Sequence, residues 1–500
     1  MNVENGLPRR STVIDAKVVA GRLWRQDRIL NCQAVSKREF QIEEPRNTRD
    51  IQKINPIFSI VSKTSHHKNS GNTYLHRSRN KIFLTLKATT DHLLLEKSMT
   101  NMQRLLSAHF AALILSISCS AQINVPPRLF SPYRIADLQS EKSSSAQAAQ
   151  SPLDAKAQRA THHLQAFMGK RQIPGLSIAV GHRGQLVWNT ALGVSDLHSK
   201  TPLTQDSVFP IGSTSKALTS VALGQLLERK KLRLDAPIQT YVPYFPEKGH
   251  AITVRLLAGH LSGIRDYDMK AGEYHNTRRF KTSREAVEIF MESPLLFEPG
   301  TDYAYSAYNF VLLSAAIESA SGQDFLSYMQ KMVFSPLGLT RTGPDLRPSP
   351  MPGLVTCYSA GLMGMPSLAR PLDVSNKWAA GGFVSTSTEM VRIGNALLKN
   401  RLLKSDTFRL LTTPQKLKNG KESGAGYGMG WRSGREKLPL SGREVQVVHH
   451  GGTANGAMSF FVLFPEEDLV VSINCNLLFT PFGELATEAY TIADLFLQER

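Results

Sequence analysis

Strand-like and helix-like periodicities are segregated along this chain, and that segregation most limits its fold. From Pro174, PGLSIAVGHRGQLVWNTALG reads as two apolar runs about a His-Arg-Gly turn, a β-hairpin pattern. Strand-like runs return only toward the far end, in GYGMGWRS, VQVVHHGG, MSFFVLFP and DLVVSINCN. Helical periods occupy the middle, in ITVRLLAGHLSGI, SREAVEIFMES, YNFVLLSAAIESASG and DFLSYMQKMV. A helix from Asp154 precedes the hairpin, a helix capped by Thr386 with Glu389 follows a proline-rich loop, and ELATEAYTIADLFLQ closes the chain. Strands at both ends with helices between predict an α+β fold. A single antiparallel sheet would join the hairpin to the C-terminal strands, flanked by helices, with a helical subdomain beside it.

The first third of the chain is different. Residues 1–98 are polar, basic and without sustained periodicity, which predicts a disordered extension or a start site placed too far upstream. Residues 99–121 follow the layout of a secretory signal peptide: Arg104, an apolar run from Leu105 to Ile117, then small residues. The run is too short for a spanning helix, so the mature form is expected to lack an integral span, with Cys119 a candidate lipid anchor. Residues 122–152 read as a linker and 153–500 as the folded domain. The expected compartment is periplasmic or secreted for a bacterial chain, or mitochondrial for a eukaryotic one. The net charge is +18, and residues 1–121 carry 19 Lys and Arg against 9 Asp and Glu, more than half of that excess. The charges are scattered and no nucleic-acid motif appears, so a solvated basic surface is expected rather than a nucleic-acid partner. The cysteines (Cys32, Cys119, Cys357, Cys475) form no framework and no zinc spacing. Cys357 and Cys475 are either a disulfide or two buried thiols. No cofactor and no metal is implied.

Three short elements carry chemistry. Ser213 and Lys216 open the stretch VFPIGSTSKALTSVALGQLLE, whose apolar residues from Ala217 to Leu227 predict an amphipathic helix. Spacing i, i+3 sets an amine beside a hydroxyl on one helix face. A serine needs such a base to become a nucleophile, so the pair points to acyl transfer. Ser65 and Lys68 share the spacing within SHHK, a polar stretch with no helical period. Second, Tyr305 and Ser306 precede an apolar helix; a tyrosine near a lysine can hold a lowered pKa and shuttle a proton, while Tyr303 and Tyr308 fit a core role equally well on spacing. Third, VVHHGGTANG places His449 and His450 on opposite faces of a strand, so one faces a shared cleft. Gly451 and Gly452 permit close approach of a substrate or another backbone, and an N–H there can join that of Ser213 in holding an oxyanion.

Ser213-x-x-Lys216, Tyr305-Ser306 and His449-x-Gly451-Gly452 occur in the order and at roughly the spacing of the serine β-lactamase-like family, which this chain resembles over about residues 155–498. That family includes class C β-lactamases, D-alanyl-D-alanine carboxypeptidases and related esterases. YVPYFPEK, LLAGHLSGIRDY, SGQDFLSYMQK and NKWAAGGFVST look most similar to its mitochondrial serine β-lactamase-like protease branch and bacterial relatives. The resemblance implies a β-lactamase/transpeptidase-like fold and two-step acyl-enzyme catalysis. Ser213 is the nucleophile, Lys216 with Tyr305 moves the proton, Ser213 and Gly452 hold the oxyanion, and His449 lines the cleft. Two departures disfavour β-lactams. Ala307 stands where many members have asparagine, and histidine stands in the third motif where β-lactamases have lysine. A peptidase or amidase acting on a small molecule or peptide is expected, with a carboxylesterase or β-lactamase on the same site as the alternative. A non-catalytic binding protein on the same frame is the alternative of another class. The oligomeric state is not readable from the sequence.

Overall fold

A computed structural model describes residues 152–498, apart from 362–363 and 424–425. The expectations for residues 1–98, the signal peptide at 99–121 with Cys119, and the linker up to residue 151 lie outside the described residues. In chain order the elements are α1 (Pro152–Arg171), β1 (Gly175–His182), β2 (Gln185–Asp196), β3 (Thr201–Pro202), β4 (Phe209–Pro210) and α2 (Ser215–Glu228). Four more helices follow: α3 (Val254–Ala258), α4 (Ser283–Val287), α5 (Ala307–Ser321) and α6 (Phe325–Met329). Then come β5 (Gly343–Pro344), β6 (Tyr358–Ala360), β7 (Pro366–Leu368), α7 (Trp378–Gly381), β8 (Phe383–Ser385), α8 (Ser387–Leu398) and α9 (Ser405–Thr412). The chain ends with β9 (Arg432–Lys437), β10 (Glu444–Ala454), β11 (Ala457–Phe464), β12 (Leu469–Cys475), β13 (Leu477–Leu478) and α10 (Gly483–Leu497).

The main sheet has seven strands in the order β3-β2-β1-β12-β11-β10-β9. The hairpin joins the C-terminal strands through the antiparallel pair β1–β12, with Leu176 opposite Cys475 and His182 opposite Leu469. Arg183 and Gly184, at φ 53° and 79°, form the two-residue turn between β1 and β2; positive φ at both positions matches the right-handed twist of the strands. GYGMGWRS is not a strand throughout, since β9 begins only at Arg432.

Strand alternation splits the core in two. Leu176, Ile178, Val180, Val447, Phe460, Val462, Val471 and Ile473 pack with Ala160 and Leu164 of α1 and Leu485, Ala489 and Ile492 of α10. The intervening Ala179, Val448, Phe461, Leu463 and Val470 join the larger cluster built on the helical side. With both faces covered, β11 and β12 are buried along their whole length, which explains their unbroken apolar sequence. The same reason modifies α2. It packs against α5 and α7, and every residue from Ser215 to Leu226 is buried, so the helix has no solvent face of the kind its stripe predicts.

Only half of the capping box at α8 forms. Thr386 Oγ1 accepts from Glu389 N at 3.0 Å, but the Glu389 carboxylate accepts instead from Thr340 N at 2.8 Å and Thr342 Oγ1 at 2.6 Å, tying the β5 approach to the helix. Thr386→Ala is therefore expected to cost about 1 kcal/mol, read as a lowered urea midpoint at unchanged slope.

Candidate active site

β4 delivers the chain to a 3-10 turn, Gly212–Thr214, which runs directly into α2. Ser213 is the middle residue of that turn and is half-buried, while Lys216 is fully buried. Lys216 Nζ lies 3.2 Å from Ser213 Oγ and donates to the Ala380 carbonyl of α7 at 2.5 Å. Its other neighbours are the rings of Tyr305 and Phe310, 4.9 and 5.7 Å away. Loss of water strongly penalises a charged ammonium in that setting. Burial brings the Lys216 pKa down to about 7, against an upward pull from the Asp266 carboxylate. An amine with that pKa, in hydrogen-bond reach of a hydroxyl, is able to accept its proton at neutral pH.

Tyr305 is placed just before α5 by the turn after Gly300, and its phenol meets Ser213. Its pKa moves opposite to the lowered value expected from sequence. Burial raises it, and the hydrogen bond with Ser213 only partly offsets this. Tyr305 is thus a protonated phenol at neutral pH, a donor and not a phenolate. Tyr308 is core, stacked on Phe290 with ring centroids 4.3 Å apart and donating to Glu273 Oε2 at 2.8 Å. Ser306 Oγ donates to the Arg265 carbonyl at 2.7 Å, so it fixes the loop.

The two histidines of β10 lie on opposite faces, but the residue on the lysine side is His450, not His449. His449 shares the face of Val445 and Val447 and packs on Phe460, 5.1 Å between centroids. His450 is buried beside Tyr427, whose hydroxyl lies 2.9 Å from its Nε2. His450 Nδ1 is 2.7 Å from the Gly451 carbonyl, so Nδ1–H donates and Nε2 accepts from Tyr427, the neutral tautomer. Burial, with help from Lys216, holds the His450 pKa well below its ordinary value. Burial likewise takes His449 down to about 3. Neither ring carries charge at neutral pH.

The glycines divide in the same way. A Cβ on Gly451 would meet the Phe482 ring at 2.3 Å, on the α10 side. A Cβ on Gly452 would meet Ile211 O at 1.9 Å and Thr214 N at 2.9 Å. Reciprocally, a Cβ on Gly212 (φ 48°) would meet Thr453 O at 2.4 Å. The nucleophile turn and β10 therefore touch backbone to backbone, locked further by Thr214 Oγ1 with Ser459 Oγ (2.8 Å) and Ser459 Oγ donating to Ile211 O (2.7 Å). β9 pairs with β10 only as far as His449, so the segment His450–Ala454, paired with β11 on one side, has no strand on the other among the described residues.

Several site residues were invisible as motifs. His260, in LLAGHLSGI, is buried at φ 60°. Its Nδ1 accepts from Ser306 N at 3.3 Å, and its ring lies 4.3 Å from that of Tyr305 and 4.6 Å from that of Tyr427. Tyr427 sits in a segment that reads only as strand, and Arg432, whose guanidinium lies 5.3 Å from the Tyr427 ring centroid, marks the start of β9. Cys357 and Cys475 are free thiols pushed up to about 12 by burial. Among the described residues no His, Cys, Asp and Glu group is arranged to hold a metal, and no helix is long and apolar enough to cross a membrane.

Residues 160–494 match the Beta-lactamase family. The human protein "Serine beta-lactamase-like protein LACTB, mitochondrial" is 29% identical over 402 residues, covering 61% of this chain and 73% of that protein. Among solved structures, a D-stereospecific amidohydrolase from Streptomyces sp. superposes with a TM-score of 0.53 at 25% identity, covering 65% of this chain and 94% of that one. An octameric penicillin-binding protein homologue from Pyrococcus abyssi superposes with a TM-score of 0.57 at 21% identity, covering 68% and 77%, which is a likeness of fold.

Proposed function

The chain belongs to the beta-lactamase family of serine hydrolases, and from that membership we propose that it cleaves an amide or peptide bond through an acyl-enzyme on Ser213. The observation that carries this reading is the Lys216 amine, buried and 3.2 Å from Ser213 Oγ. Neutral Lys216 takes the Ser213 proton as Oγ attacks the carbonyl carbon. The carbonyl oxygen gains the negative charge, held by the Ser213 N–H and an N–H of the open β10 edge at Gly452. Tyr305, already protonated, gives its proton to the leaving nitrogen and recovers one from Lys216. Water then attacks the acyl carbon, with the same amine as base, and frees Ser213.

His450, rather than His449, borders the reacting centre in this scheme. As a neutral ring already bonded on both nitrogens, it shapes the cleft and holds Tyr427. Ala307 is buried, and its N–H donates to Asp266 Oδ1 at 2.9 Å. Its methyl offers no hydrogen bond to a β-lactam amide, which favours other acyl substrates, and the likeness to an amidohydrolase supports an amide. The test is labelling of the full chain with a fluorophosphonate, followed by peptide mass mapping. A single adduct on Ser213, absent in Ser213→Ala, is expected. Labelling elsewhere, or undiminished labelling of the variant, overturns the assignment. Parallel assays with a peptide amide and a p-nitrophenyl ester separate amidase from esterase.

A further inference from the structure

Two buried charged groups beside the site have no part in that scheme. Asp266 follows α3 and, through its bond to Ala307 N, fixes the first residue of α5, two positions after Tyr305. Lys377 is 5% exposed and donates to the Tyr274 carbonyl at 2.9 Å, with the Tyr274 and Tyr267 rings 4.0 and 5.0 Å away. It stands immediately before α7, three residues from the Ala380 carbonyl that anchors Lys216. One short segment thus seats both buried amines. Burial raises the Asp266 pKa, against the Ala307 N–H and the two amines, which pull it down. Among the described residues Asp266 makes no contact ion pair with either amine.

Resting on the serine-hydrolase reading, we propose that Lys377 and Asp266 are positioning residues. The Lys377 ammonium balances the Asp266 carboxylate, so that Lys216 remains an uncharged amine beside Ser213. The groups around Lys216 are Ser213 from its own turn, Asp266 and His260 from the α3 end, Tyr305 ahead of α5, Lys377 ahead of α7 and His450 of β10, with Arg432 farther out on β9. The histidines are neutral and Tyr305 is protonated, which leaves Asp266 and Lys377 as the opposed charges of that group. Burial lowers Lys377 to about 8, and Lys216 adds to that while Asp266 opposes it, so the group is still cationic at pH 7.

Opposite substitutions must then act in opposite directions. In Lys377→Gln the carboxylate is uncompensated, Lys216 holds its proton more tightly, and the acid limb of the fluorophosphonate labelling rate moves up by about one pH unit, a tenfold slower rate below it. Asp266→Asn keeps an oxygen to accept from Ala307 N, removes the charge, and moves the limb down. Lys377→Arg keeps the charge and leaves it in place. The same shifts are read without chemistry from the titration of Lys216 in ¹³Cε-lysine NMR spectra of the full chain. An immobile midpoint, or both charge-removing variants shifting the same way, overturns the proposal. If Lys377→Gln fails to fold, Asp266→Asn and Lys377→Arg still decide it. If the unsubstituted protein never labels, the hydrolase reading falls, while the NMR midpoints still report on the pair.

Discussion

Lys216→Met is expected to lose activity and gain stability at once. Without its base, Ser213 loses about 10²–10⁴-fold in acylation rate, the range for a positioned general base. The stability change has a defined pH signature. The folded pKa of about 7 lies below the ordinary 10.5, so between those values the unfolded chain binds the extra proton. The penalty for burying Lys216 is absent above about pH 10.5, grows as pH falls, and is complete below about 7. Methionine fills the same space without it, so the gain is on the order of 1–4 kcal/mol at pH 6 and shrinks toward pH 10. Thermal melts at both values test this, and equal gains would remove the buried-amine explanation. In the unsubstituted protein, the same protonation makes the rate fall tenfold per pH unit below about 7.

Gly452→Ala is expected to be nearly as damaging, though it alters no reactive group. Its methyl carbon has to displace Ile211 O and Thr214 N, which bracket Ser213. Neither is the tip of a flexible side chain, so the nucleophile turn itself must move. Displacements near 1 Å at a reacting centre cost about 10²-fold, and overpacking adds about 1–3 kcal/mol of instability. Gly451→Ala provides the contrast. It presses on the Phe482 ring on the other face, so a stability loss with a smaller effect on labelling is expected. Equal loss of labelling in both would argue against a special role for the Gly452 contact.

What the sequence disclosed followed the reach of local patterns. The hairpin, the C-terminal strands and the two-sided sheet were readable because strand alternation and turn residues are local. Ser213 and Lys216 were readable because their relation is one helical turn. The choice between His449 and His450 was not, because alternation says that they differ and not which face meets the helices; the register with β11 and the contact with Tyr427 decide that. Tyr305 was found but its pKa direction was misjudged, since a nearby lysine was visible and the surrounding burial was not. His260, Asp266, Lys377 and Tyr427 come to the site only through contacts between distant segments. The amphipathic reading of α2 failed for a related reason: its small and polar positions are buried because they bond to backbone across the interface, Ser215 Oγ accepting from Phe383 N, Thr219 Oγ1 donating to Ala379 O and Ser220 Oγ to Met429 O.

The pairing of β1 with β12 carries a consequence for biosynthesis. The hairpin emerges from the ribosome well before β12, with the β1 edge that will receive β12 still exposed. The nascent chain must therefore shield an adhesive apolar edge while the helical middle and the later strands are made. Truncation by a premature stop before Leu469 would leave that edge permanently bare, and such products should be cleared or aggregate rather than persist as partly active fragments.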